Sequence, residues 1–214
     1  MDDADARPGP PDLDAGAFAA WLTSTRAAVA GRRDAEVPCD GCTACCASSQ
    51  FVLVGPDETE ALAHIPAELL VAAPGAPAGH VVLGYDEHGR CPMLGDAGCT
   101  IYEHRPRTCR TYDCRVFAAA DVDPGVDPTK QAIAERARRW RFSHPTPADQ
   151  AAHGAVRRAA RQLVDDAADL PADVAPHTET ERAVAALVVH DLFLDGTPST
   201  TAVAVTLRSR SAPR

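Results

Sequence analysis

Apolar residues at Phe18, Trp21, Leu22 and Val29 lie close to one helical face and predict an amphipathic helix that starts at Asp14. It should end near Arg32-Arg33, where two cations suit a C-terminal dipole. Phe51-Val52-Leu53-Val54 then reads as a short strand, and Gly55-Pro56-Asp57-Glu58 as a helix start that Pro66 interrupts. Residues 73–79, rich in Ala, Pro and Gly, read as a loop. Alternating apolar runs separated by Asp86-Glu87-His88-Gly89 and Gly95-Asp96-Ala97-Gly98 predict a small β-meander over 80–102. In that reading Cys91 and Cys99 open strands, and Arg105-Pro106 begins a short helical segment carrying Cys109 and Cys114.

The last hundred residues predict three helices. One covers about 129–142, with Ile133, Ala137 and Trp140 in register. A second starts at the capping-type signal Thr146-Pro147-Ala148-Asp149 and presents Val156, Ala160, Leu163 and Ala167. A third starts at Thr178-Glu179-Thr180-Glu181 and presents Val184, Leu187, Val188 and Leu192. Thr200 to Leu207 reads as a terminal strand. The expected fold is therefore mainly α with a small β-meander, an α+β class. Its expected parts are an acidic disordered tail (1–13), a cysteine-bearing domain (14–120), a helical region packed on it (121–207) and a tail (208–214).

Composition changes this picture little. An apolar content of 45% and a charged content of 24% are those of an ordinary globular protein. The net charge of −9 argues against a nucleic-acid partner, because phosphate binding needs a clustered basic face. Arg136, Arg138, Arg139 and Arg141 read as a solvated helix face. Acidic Met1-Asp2-Asp3-Ala4-Asp5 is unlike a secretory signal, and the run Ala183–Leu194 is too short and polar to span a bilayer. A cytoplasmic protein is expected, in a compartment that keeps thiols reduced.

The cysteines change the picture most. All eight lie between Cys39 and Cys114. The run opens as Cys39-x2-Cys42-x2-Cys45-Cys46 and continues through Cys91, Cys99, Cys109 and Cys114. Such density calls for disulfides, buried free thiols or metal ligation. The missing signal peptide and a length of 214 residues argue against disulfide staples. The C-x2-C step is the spacing at which a turn aims two thiolates at one metal.

Cys45 and Cys46 are adjacent, and neighbouring side chains diverge, so the pair more naturally serves two metals or two corners of a multinuclear cluster. If 39–46 were helical, Cys39, Cys42 and Cys46 would share a face and Cys45 would point away. Thiolate-bound metal centres carry net negative charge. Arg105, Arg107, Arg110 and Arg115 make residues 99–115 locally positive in an acidic chain. Guanidiniums such as Arg105 and Arg110 are therefore candidates to donate hydrogen bonds to ligand sulfurs.

The phrase Cys91-Pro92-x-Leu94-x4-Cys99-x-Ile101-Tyr102-Glu103-x-Arg105-Pro106-x2-Cys109-Arg110-x-Tyr112-x-Cys114, after the opening cluster, resembles the YkgJ-type cysteine-cluster (CxxCxxCC) proteins. That family is described as a zinc- or iron-chelating domain, and its members are often labelled iron–sulfur proteins. A related cluster occurs in flagellin lysine methylases. The resemblance covers residues 39–114 and implies all eight cysteines as metal ligands: Cys39, Cys42, Cys45, Cys46, Cys91, Cys99, Cys109 and Cys114. It implies neither the metal nor a reaction, and the C-terminal helices lie outside it.

The remaining candidates are weaker. His104 sits inside the phrase but reads as a packed or surface histidine. His80 and His88 flank a turn, and His64, His144, His153, His177 and His190 follow no ligand spacing. Tyr102 and Tyr112 read as packing beside the site. No catalytic residue is assigned, and no Ser–His–Asp set, phosphate loop or dinucleotide fingerprint occurs. Three functions stay open: an iron–sulfur or iron protein with a redox or cluster-dependent role, a structural Zn2+ module with an interaction role, and a metal-dependent group-transfer enzyme similar to the flagellin lysine methylases. The implied partners are metal ions, with no membrane; a protein or electron-transfer partner is not identified.

Overall fold

The computed structural model describes residues 10–33, 37, 39 and 41–211. The expected acidic tail thus falls largely outside the described residues, as do 212–214. Helix accounts for 47% of the structure and strand for 11%, so the molecule is mainly helical and α+β, as the apolar periodicity implies.

In chain order the elements are β1 (Leu13–Ala17), α1 (Phe18–Val29), β2 (Val52–Val54), α2 (Thr59–His64), β3 (Leu70–Ala72), β4 (Val81–Leu83), β5 (Leu94–Gly95) and β6 (Gly98–Cys99). They continue as α3 (Arg107–Thr111), α4 (Arg115–Ala120), α5 (Gln131–Ala137), β7 (Trp140–Ser143), α6 (Pro147–Asp165), α7 (Glu179–Val189) and α8 (Thr200–Ser211).

Several of these differ from the sequence pattern for definable reasons. Residues 13–17 form a strand parallel to β7, so the first helix begins at Phe18 and not at Asp14. A bulge at Asp14/Gly16 accommodates the pairing, and Gly16 supplies the positive φ of 83° that an L side chain would resist. Phe18, Trp21 and Leu22 are buried as expected, whereas Val29 is exposed. The same pairing ends α5 at Ala137 and draws Trp140 into a strand, shortening the helix expected over 129–142.

The meander expected over 80–102 is not formed. β4 pairs instead with β2 and β3 in the antiparallel order β2-β4-β3, and the two-residue strands β5 and β6 make a separate hairpin. Cys91 precedes β5 and Cys99 closes β6. Cys114 lies beyond α3, at the start of α4, and Thr200–Ser211 is a helix, not a strand.

Two hydrophobic cores result. The larger one joins Phe18, Trp21 and Leu22 of α1, Val116 and Phe117 of α4, and Val156, Leu163, Leu187 and Phe193 of the C-terminal region. The smaller one gathers Val52, Val54, Ala61, Ile65, Leu83, Met93 and Ile101. The two long helices are closed at their N-termini by capping boxes, Thr146 with Asp149 and Thr178 with Glu181, as their sequences predict. No helix among the described residues is long and apolar enough to cross a membrane.

Candidate metal centre

The opening cluster folds as a series of turns. The Cys42 amide donates to the Cys39 carbonyl at 2.7 Å, and the Ala47 amide reaches the Thr43 carbonyl at 2.8 Å. Ser48, fully buried, closes the turn by donating its hydroxyl to the Ala44 carbonyl at 2.8 Å. The Cys91 amide donates to the Cys46 carbonyl at 2.7 Å, tying the opening cluster to the distal cysteines across 45 residues of chain. The hairpin of β5 and β6 and the Pro106-led helix α3 then deliver Cys99 and Cys109.

All eight cysteines line one cavity of about 220 Å³, and all carry free thiols. The cavity lies where the two cores meet: Cys45 and Cys114 pack against the larger core, and Cys91, Cys99 and Cys109 against the smaller.

The electrostatics couple the thiols across the cavity. Burial pushes Cys45 well up, and its strongest charged neighbours are Cys114 and Cys39. Cys39 is raised by burial and by Cys42; Cys114 is raised by burial to about 11, with Asp113 and Cys42 adding to it. Burial, then Cys91 and Cys99, then Cys39 and Cys42, raise Cys46 to about 11. Burial, then Cys91, Cys46 and Cys99, push Cys109 up to about 12, while Cys91 is raised by burial and Cys99. Cys45 is coupled most strongly to Cys114 and Cys39, and Cys46 to Cys91 and Cys99, while Cys45 also feels Cys46 and Cys46 also feels Cys39 and Cys42, so the thiols act on one another across the one cavity.

Spacing between the thiols bears on what they can hold. Four sulfurs around a tetrahedral zinc, with Zn–S bonds near 2.3 Å, lie about 3.8 Å apart. Among the described residues, no three thiol sulfurs come within 4.8 Å of one another. The cavity also exceeds many times over the roughly 10–15 Å³ that admits one water. Soft thiolate donors in such number suit zinc or iron and exclude calcium and magnesium, which take oxygen.

Other residues shape the charge. Arg105 lines the cavity, stacks over the Tyr102 ring with its guanidinium carbon 3.5 Å from the centroid, and its charge favours the thiolates of Cys39 and Cys109. Arg110, half-buried, instead lines a neighbouring surface cleft.

Sequence spacing missed Arg136 and Trp140. The Arg136 charge favours the thiolates of Cys39 and Cys114, and the Trp140 indole N–H donates to Cys114 Sγ at 3.2 Å. Beside them, buried Asp113 accepts from Trp21 Nε1 at 2.8 Å and pairs with Arg115 at 2.7 Å. Tyr112 is held far above its usual range by burial and, next, by Cys45 and Cys114, which keeps its phenol neutral beside the site.

Residues 38–136 match the family model CxxCxxCC, described as "Putative zinc- or iron-chelating domain". The cysteine-bearing segment matches the CxxCxxCC domain. The match spans just under half of the chain, contains all eight cysteines and ends at Arg136. It supports metal binding as the function of this segment. No curated protein and no solved structure matches the chain.

Proposed function

We propose that the cysteine-bearing segment of this chain holds iron–sulfur chemistry among its eight thiols and serves a redox or cluster-dependent role. The observation that carries this reading is the convergence of all eight thiols on one cavity with no three sulfurs, among the described residues, within 4.8 Å of one another, a wider spacing than the roughly 3.8 Å of a mononuclear tetrathiolate. Terminal thiolates around an iron–sulfide core stand farther apart than those around one zinc, and such a core would supply one-electron transfer when bound.

The protein's own part is to set the environment. The apolar walls from both cores lower the local dielectric. Arg105, Arg136 and the Trp140 N–H oppose the negative charge of the ligating sulfurs. Anaerobic purification followed by iron, zinc and acid-labile sulfide assays on one sample tests the proposal. A coloured protein with sulfide matching its iron is expected. Colourless protein with stoichiometric zinc and no sulfide would overturn it in favour of a structural zinc module. Cys45→Ser and Cys46→Ser should each lower the iron content.

A further inference from the structure

We infer that Glu60, His64 and His104 form a second metal site, outside the thiol cavity, for a borderline divalent transition-metal ion of the zinc class. Among the described residues this is the trio of His, Cys, Asp or Glu donor atoms lying within 4.8 Å of one another. Glu60 and His64 stand one turn apart on α2, so they share a face. His104 comes from the turn after β6. Its imidazole stacks on that of His64 with centroids 3.7 Å apart and planes 9° from parallel, and its Nδ1 lies 3.7 Å from Glu60 Oε2.

Two features make this more than a chance cluster. His64 Nδ1 lies 2.8 Å from the Glu60 carbonyl oxygen, a contact that requires the proton on Nδ1. That leaves the Nε2 lone pair free, which is the arrangement that orients a histidine for a metal. The backbone beneath is also fixed: Ala61 on α2, Ile65 just after it and Ile101 before the turn are buried in the smaller core, and the His104 amide donates to the Ile101 carbonyl at 2.9 Å.

The charge balance permits a cation. The adjoining cleft places Asp57, Glu58, Glu60 and Glu103 against Arg105, Arg107 and Arg110. Arg107 is bound to Asp57 at 2.7 Å, and Arg105 is turned onto Tyr102. Two imidazoles and one carboxylate suit zinc, cobalt, nickel or ferrous iron better than calcium or magnesium. Three protein ligands leave coordination positions for water. Glu60, His64 and the outer edge of His104 face solvent, so the ion exchanges freely.

The test uses the full-length protein with its thiol-bound metal in place, titrated with Co2+. One additional Co2+ should bind, with visible bands of nitrogen and oxygen ligation and without thiolate charge transfer, and should broaden the imidazole NMR signals of His64 and His104. His64→Ala, His104→Ala and Glu60→Gln should each weaken it by at least the 10–100-fold typical of losing a supporting partner. Thiol-bound metal and the unfolding midpoint should stay as in the wild type, since the replaced side chains are largely exposed. The inference fails if the loaded protein takes up no further Co2+, if the added Co2+ shows thiolate charge transfer, or if the His64→Ala/His104→Ala double variant binds as the wild type does. None of these results depends on which metal the cysteines hold.

Discussion

Asp113 is the residue on which the larger core and the thiol cavity lean together. Its carboxylate is 3% exposed, bonded to Arg115 and to the Trp21 indole, and it immediately precedes Cys114. Removing one partner of a buried ion pair strands the other, so Asp113→Ala should cost about 3–5 kcal/mol of unfolding free energy in urea titrations. A loss below about 1 kcal/mol would mean that Arg115 finds water on its own, as exposed pairs do. Trp140→Phe probes the neighbouring contact separately, since it keeps the ring and deletes the N–H that reaches Cys114 Sγ. It should weaken metal retention by the thiol cavity by roughly 10–100-fold against a chelator, with the fold intact. Neither Asp113 nor Trp140 could be assigned these partners from sequence. Trp21 lies 92 residues from Asp113 and Trp140 lies 26 from Cys114, and no local pattern encodes such pairings.

Helix boundaries were legible where their cause is local and illegible where it is distant. Thr146-x-x-Asp149 and Thr178-x-x-Glu181 announce α6 and α7 because a capping box is closed within four residues. The end of α5 could not be read, because Ile133, Ala137 and Trp140 keep helical spacing while the chain turns away to pair with β1, over a hundred residues earlier. Thr200–Leu207 misleads in the opposite sense. Its β-branched alternation suits a strand, but the segment lies on the helical layer, where Val203, Ala204 and Leu207 reach the larger core from one helical face. Asp149 joins both kinds of cause. Its carboxylate accepts from the Thr146 amide at 3.0 Å and also, across 130 residues, from the Ala19 amide in the first turn of α1 at 2.8 Å. Asp149→Ala should therefore lose capping at two helices, about 2 kcal/mol, against about 1 kcal/mol for Thr178→Ala, which uncaps one. Equal urea midpoints for the two variants would show that the bond to α1 adds nothing.

At the scale of the molecule, the cysteine spacing announced a metal centre, whereas the convergence of the opening cluster and the distal cysteines on one cavity between the two cores depends on long-range packing that no spacing encodes. The larger core also contains a titratable group, and this makes the whole fold sensitive to acid. His153 of α6 is buried, stacks on Phe18 of α1 with centroids 4.1 Å apart, and meets His144 Nε2 at 2.7 Å through its Nδ1. Burial first, then the charges of Arg157 and His144, lower it from 6.5 to about 4. The unfolded chain therefore binds a proton that the folded chain refuses between those values. Its stabilising effect is complete above pH 6.5 and is lost as pH falls toward 4. His190, also lowered by burial, acts in the same direction. Wild-type unfolding free energy should fall between pH 7.5 and 5, before the carboxylates of Asp149 or Asp123, both held below their usual range, begin to protonate. His153→Phe retains a ring against Phe18 and removes the proton. Its unfolding free energy should decline less over that interval, the remainder following His190. Any acid release of thiol-bound metal is common to both proteins and cancels in the comparison. Parallel pH profiles for the two would show that His153 gains its proton without opening the core.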